Sequence, residues 1–294
     1  MERPRIGLTV GDPAGIGPEI TEQAIRDPRV TQVCTPVLYD SRSEPVQVGV
    51  ADAKGGRASY QAVCRATHDA LEGRLDALTT SPINKTSWNL AGLKWPGHTE
   101  LLAELTGVTD VAMMFYTENL RVVLATVHIP LSLVTENLTQ ARVERTVELA
   151  HNELPLFGCP SPRLALAGVN PHAGEKGLIG REEVEILEPA VQSLRNRGIN
   201  IEGPLPADTI FVRAVKGEFD AVVACYHDQG LIPAKLVGFG KSVNVTLGLP
   251  IVRTSVDHGT AYDIAGKGIA DHSSLVEAVI LAARLTSRRA GLGL

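Results

Sequence analysis

The chain has 294 residues, enough for one large or two ordinary domains with a substantial core. Hydrophobic residues make up 44% and charged residues 21%, the profile of a soluble globular protein. A formal net charge of -5 and a pI near 5.9 exclude nucleic acid or an anionic membrane as the main partner. No apolar run is long enough to span a bilayer, and the first residues lack a signal-peptide core. Cys34, Cys64, Cys159 and Cys225 have no paired spacing and read as small buried hydrophobes in a reducing, cytoplasmic setting.

In chain order, Ile6 to Val10 reads as a first strand that runs into Gly11-Asp12-Pro13-Ala14-Gly15-Ile16-Gly17-Pro18-Glu19. These glycines lack the dinucleotide-fingerprint spacing and suit a tight strand-to-helix turn, with Pro18 in the first helical turn. Val33 to Tyr39 reads as a second strand, Asp40 to Gly56 as irregular, and Ala58 to Leu71 as a helix. Leu75 to Thr80 is a strand, and Thr99 is placed to cap a helix at Leu101, with His98 just outside its N-terminus. Val111 to Tyr116 and Leu120 to Val127 form a hairpin around Thr117-Glu118-Asn119. Thr139 to Leu154 carries the clearest helical stripe, Val143, Val147, Ala150 and Leu154. Arg163 to Val169 is a buried-type strand, and Glu182 to Arg197 a helix kinked at Pro189. Pro204 to Thr209 reads as a rigid loop carrying Asp208. Ala221 to Cys225 is a strand buried on both faces, which stops in His227, Asp228 and a turn-forming Gly230. Val243 to Leu247 and Ile251 to Arg253 are strands, Gly259 to Asp263 a loop entering a helix, and Ser273 to Arg288 the last helix.

Three histidines share one context: His128, His172 and His227 each follow an apolar strand. Parallel strands would place all three imidazoles on one rim of an α/β sheet, where ligands bind. Imidazole is a common ligand of transition-type divalent ions, and Asp208 or Asp228 would add oxygen or orient a ring. Lys235, Asn244 and Arg253 form a second constellation suited to an anion, because a cation buried alone is costly. Metal plus anion clamp suits chemistry on a small acidic hydroxy compound. On these residues alone, hydride transfer, a metal-dependent aldolase and a hydrolase all remain open.

The motifs in order resemble the 4-hydroxythreonine-4-phosphate dehydrogenase family of vitamin B6 biosynthesis. The matching segments are 11–19, Gly97-His98-Thr99-Glu100, Asn170-Pro171-His172-Ala173-Gly174-Glu175, 204–209, Tyr226-His227-Asp228-Gln229-Gly230 and 253–260. The resemblance implies two α/β/α domains with a cleft between them, as in isocitrate and isopropylmalate dehydrogenases. On this pattern residues 1–95 with 245–294 form a terminal, cofactor-side domain, and 96–244 a central one. It implies a cytoplasmic homodimer with shared active sites, in which His128, His172 and His227 hold a divalent metal ion (zinc, magnesium, cobalt or manganese). His98, Thr99, Lys235, Asn244 and Arg253 would bind substrate, with Asp208 and Lys235 catalytic. NAD is the implied oxidant, with NADP not distinguished, and its region includes Asp257, Gly259 and Asp263. The implied reaction oxidises 4-phosphooxy-L-threonine to a β-keto acid that loses carbon dioxide; a paralogue acting on D-threonate 4-phosphate, D-erythronate 4-phosphate or a dihydrodiol dicarboxylate is the alternative. Family members usually carry several tens more residues where only Asp40 to about Arg57 stands here.

Overall fold

The computed structural model describes residues 3–238 and 240–292. The chain divides into two compact α/β units, residues 1–109 with 243–294, and residues 110–242. The sequence reading set these boundaries near 95 and 244. Packing of the 98–106 helix on the long 53–71 helix brings that stretch into the first unit.

In the first unit, β1 (Arg5–Thr9), β2 (Thr35–Tyr39) and β3 (Ala77–Thr80) alternate with α1 (Gly17–Ala24), α2 (Pro28–Val33) and α3 (Ala53–Leu71). Two further helices, α4 (Lys85–Leu90) and α5 (His98–Thr106), precede the excursion into the other unit. The chain returns later as β9 (Val243–Leu247), β10 (Val252–Ser255) and α11 (Ser273–Leu292). Within this unit the strand order is β2-β1-β3-β10-β9, parallel except for β9. The helix α3 covers one face of this sheet, and α11 packs on β3, β9 and β10 from the other side. Burial on both faces shows in β1 and β3, where every residue after Arg5 is buried, the threonines included. Asp27 caps α2 by accepting the Arg29 N–H at 2.8 Å, which starts a short helix that ends at Val33, so the strand expected from Val33 begins at Thr35.

In the second unit, β4 (Ala112–Tyr116) and β5 (Arg121–Leu124) form the expected antiparallel hairpin. The helices α6 (Val134–Asn137) and α7 (Gln140–Glu153) then lead to β6 (Leu164–Ala167). Thr139 caps α7, and Val143, Val147 and Ala150 are buried, as the stripe requires. A π-helical turn, Glu183–Leu187, joins α8 (Glu188–Asn196) where the Pro189 kink was expected. It is followed by β7 (Ile201–Leu205), α9 (Ala207–Val215), β8 (Ala221–Ala224) and α10 (His227–Gly238). The strand order is β4-β5-β8-β6-β7, with β5, β8, β6 and β7 mutually parallel. Against β5, β8 and β6 lie Ile210, Phe211 and Ala214 of α9 and Leu231 and Ala234 of α10, in one apolar cluster.

Gly230 is not a turn residue, because it lies inside α10. A Cβ there would stand 2.6 Å from Val122 Cγ1 and 2.8 Å from Leu124 Cδ2. Its absence lets the helix lie directly on β5. Cys34 and Cys225 are buried, and burial pushes the Cys34 thiol up to about 11. All four cysteines are free thiols. Among the described residues no helix is long and apolar enough to cross a membrane.

Candidate functional site

The first unit builds an anion-binding face from strand register. Arg253 and Ser255 alternate with Thr254 on β10, so they point to the same side of the sheet. Ser255 is registered opposite Asn244 on β9 and opposite Thr80 on β3, which adds both to that side. Thr254 turns the other way and donates to the Ala278 carbonyl of α11 at 2.9 Å. Arg253, Asn244, Thr246, Ser255 and Thr80 therefore share the face opposite α11.

Arg253 is 2% exposed, and its guanidinium donates to the hydroxyls of Thr80 and Thr246 rather than to an acid. Its Nε–H is shut off from solvent and without a partner, as is Asn244 Oδ1. Burial lowers the Arg253 pKa to about 10, with Glu100 opposing. His98 is the first residue of α5, with Gly97 and not Thr99 in the capping position. Thr99, at the second position, is half-buried. The His98 ring meets Trp88 edge-on with centroids 5.9 Å apart. Its Nε2 is excluded from solvent and unpartnered, although the residue keeps a partly exposed edge. Burial first, and the nearby Arg253 second, hold the imidazole well below its usual pKa, so it is neutral at physiological pH. A buried cation with an unpartnered N–H beside a neutral imidazole is complementary to an anion, and the unpartnered Asn244 amide oxygen suits a hydroxyl or ammonium donor on the same ligand.

The second unit gathers its candidates at the carboxyl ends of parallel strands. His128 follows β5, His172 follows β6 and His227 follows β8, and the three strands are parallel neighbours. The segments that carry the three histidines therefore follow strands ending on one side of the sheet. His128 and His227 lie side by side, with ring centroids 5.5 Å apart. Asp228 Oδ1 stands 2.6 Å from His227 Nδ1, which engages that ring nitrogen and not Nε2. A carboxylate on one ring nitrogen and a free second nitrogen is a common arrangement in metal-ligating histidines. The two rings border a cavity of about 390 Å³ with Val127, Ile129, Leu131, Val134 and Tyr226. Among the described residues, no three His, Cys, Asp or Glu side chains converge on one point. The donor types at His128 and His227 nevertheless suit a divalent ion.

His172 stands apart, on a backbone of unusual hand. Residues 172–176 all have positive φ, four of them non-glycine: His172 (53°), Ala173 (50°), Glu175 (44°) and Lys176 (56°). Such residues cost roughly 1–3 kcal/mol each and persist only when their surroundings over-determine them. Glu183, fully buried in the π-helical turn, is the anchor. It accepts the Asn170 backbone N–H at 2.7 Å and Asn170 Nδ2 at 2.8 Å. Sequence reading missed Glu183, because an acid among Glu182, Glu185 and Glu188 looks like a solvated helix face. Glu183→Ala should destabilise the second unit by about 1–2 kcal/mol, because the part-buried Asn170 backbone N–H loses its acceptor while Asn170 Nδ2 keeps Glu182. Chemical denaturation would check this, and unchanged stability would remove the anchor role.

Asp208 lies in the first turn of α9, not in a loop, and is exposed. The Pro204-Leu205-Pro206 run that suggested a loop instead ends β7 and sets Pro206 at the helix start. Lys235 is half-buried on α10, seven residues beyond Asp228 and thus on the same helical face. Ile232 and Leu236, 68% and 84% exposed, complete that stripe.

The 257–263 segment is irregular and does not enter a helix. The Gly11–Glu19 motif ties it down. Asp12, fully buried, accepts from the Ala14 N–H and the Tyr262 hydroxyl, both at 2.9 Å. The Ile16 N–H donates to the Thr260 carbonyl, and a Cβ on Gly15 would stand 2.8 Å from Thr260. The motif's glycine thus serves close backbone approach rather than phosphate. Asp257 is half-buried, whereas Gly259 and Asp263 are exposed, with open space at the Gly259 Cβ position.

The profile of the family described as pyridoxal phosphate biosynthetic protein PdxA matches residues 16–282. The 4-hydroxythreonine-4-phosphate dehydrogenase of Desulforapulum autotrophicum is 45% identical, over 96% of this chain and 95% of that protein. That alignment runs over 323 positions, more than the 294 residues here, so the relative has residues with no counterpart in this chain. The D-threonate 4-phosphate dehydrogenase of Cupriavidus necator is 42% identical, with 98% of each chain covered. The crystal structure of 4-hydroxythreonine-4-phosphate dehydrogenase from Klebsiella pneumoniae superposes with a TM-score of 0.88 at 41% identity, covering 97% of this chain and 98% of that one. At 16% identity, a beta-decarboxylating dehydrogenase from Thermococcus kodakarensis shares the fold, with a TM-score of 0.55 over 94% of this chain and 81% of that one. The chain belongs to the family of the pyridoxal phosphate biosynthetic protein PdxA, and it is a dehydrogenase.

Proposed function

We propose that this chain oxidises 4-phosphooxy-L-threonine with NAD and a divalent metal ion, giving 2-amino-3-oxo-4-phosphooxybutanoate, which decarboxylates to 3-amino-2-oxopropyl phosphate. The observation that carries the reading is the buried Arg253, bonded to hydroxyls and left with an unpartnered Nε–H beside neutral His98. Such a cation calls for an anionic ligand. Arg253, His98, Thr99 and Asn244 hold the charged end of the substrate in this reading, and Lys235 contacts it as well. His128, His172 and His227 hold the metal ion, with Asp228 fixing the His227 ring through Nδ1. When bound, the nicotinamide accepts a hydride and the divalent ion acts as a Lewis acid toward the hydroxyl being oxidised. Lys235 and Asp208 move the protons, one leaving that hydroxyl and one arriving at the carbon freed by decarboxylation. Asp257, Gly259 and Asp263 contribute to the cofactor surface.

The enzyme works as a homodimer with shared sites. Support comes from α10, where Ile232 and Leu236 expose apolar surface on the same stripe as Asp228 and Lys235. A second copy covers that stripe, and the three histidines are supplied by both copies.

A second substrate is favoured by a specific observation, since relatives of comparable identity carry the name D-threonate 4-phosphate dehydrogenase. Both acids present a phosphate, a carboxylate and a secondary alcohol to the same clamp. NADH absorbance with either acid should rise in the presence of metal, vanish with chelator and return on adding zinc, magnesium, cobalt or manganese. Turnover that is indifferent to chelator would overturn the metal assignment.

A further inference from the structure

The hydroxyls around Arg253 form a chain whose direction is forced. A guanidinium has only donors. One of its Nη atoms donates to Thr80 Oγ1 at 2.7 Å, and the other to Thr246 Oγ1 at 2.9 Å. Thr80 keeps one proton after accepting, and gives it to Ser255 Oγ at 2.9 Å. Ser255 in turn donates to the Thr80 carbonyl at 3.0 Å, so the chain ends on a backbone acceptor. Reversal is impossible, because Arg253 cannot accept. All four side chains are buried, so water does not compete for these bonds. They lie on three adjacent strands, β3, β10 and β9, which makes the mounting rigid.

We propose that Thr80 and Thr246 are positioning residues for substrate binding. They fix the plane of the Arg253 guanidinium and leave its Nε–H aimed at the oxyanion of the substrate. Ser255 supports them by orienting the Thr80 hydroxyl. This inference rests on the reading that Arg253 binds the phosphorylated hydroxy acid. Its physical content is preorganisation: an arginine pinned before binding loses less rotamer freedom when the anion arrives. Neither threonine stood out in the sequence, because a threonine in a strand is ordinary β-former usage.

The test is calorimetric titration of the metal- and NADH-loaded enzyme, which has no hydride acceptor and cannot oxidise the acid, with 4-phosphooxy-L-threonine and with D-threonate 4-phosphate, paired with steady-state kinetics in NAD. Thr80→Val keeps the shape and removes the acceptor, and should weaken binding roughly tenfold, the scale of one lost hydrogen bond to a charged group. KM for the acid should rise with it, while KM for NAD stays unchanged. Thr80→Ser restores the acceptor and should restore affinity. Thr246→Val makes the same test from a different strand, should Thr80→Val fail to fold. Wild-type affinity in both valine variants, or a serine variant as impaired as the valine one, would overturn the proposal. If the unaltered enzyme binds neither acid, the functional reading falls and takes this inference with it; intact wild-type binding with unaffected variants sinks the positioning role alone.

Discussion

Arg253→Met should raise KM for the phosphorylated substrate by about two to three orders of magnitude, on the scale of truncating a buried charge partner. The same substitution should leave folding stability unchanged or increase it. The two effects share a cause. In the free protein the guanidinium is desolvated on a sheet face and bonded to no acid, and the attraction of the exposed Glu100 does not offset the burial that lowers its pKa to about 10. Replacing a desolvated charge with an apolar side chain of similar length removes that penalty. After the change the Thr80 hydroxyl keeps Ser255 as a partner, while the buried Thr246 hydroxyl loses Arg253, a cost of about 1 kcal/mol set against that gain. A residue retained only for structure would show the opposite pattern, with lower stability and unaltered KM. Thermal unfolding beside steady-state kinetics separates the two cases.

His227→Ala should abolish metal-dependent turnover. A side chain at the start of α10 is rigidly presented, because Gly230 lets the helix lie directly on β5. Its neighbour predicts a graded companion effect. Asp228→Asn keeps the size of the side chain and weakens its hold on the His227 ring, so metal affinity should fall by about 10- to 100-fold, the usual scale for an outer-shell partner. Metal titration monitored by equilibrium dialysis reads this without any turnover assay. An undiminished rate in His227→Ala would remove it from the ligand set.

Much of the fold was legible because its elements are strongly patterned. The strand ending at Ala224 and the α7 stripe declare themselves through burial on two faces and through period. The shared context of His128, His172 and His227 was legible for the same reason, since three short apolar runs each end in an imidazole. Other parts depended on neighbours distant in sequence. Gly230 looks like a turn until Val122 and Leu124 are seen where its Cβ would go. Asp208 looks like a loop acid because prolines flank it, yet those prolines also suit a strand end and a helix start. Glu183 resembles its exposed neighbours, and only the left-handed 172–176 turn reveals why it is buried. Thr80 acquires meaning from residues more than 170 positions away, through β-sheet register alone. Local pattern reports elements well, while hydrogen-bond partners across strands leave no local trace.

The central claim concerns the substrate, and one comparison tests it most directly. NADH formation and carbon dioxide release should be followed together, with the metal-loaded enzyme given 4-phosphooxy-L-threonine or D-threonate 4-phosphate at equal concentration. The account predicts a higher kcat/KM for 4-phosphooxy-L-threonine, with carbon dioxide released in step with NADH. Turnover of D-threonate 4-phosphate with none of 4-phosphooxy-L-threonine would contradict it.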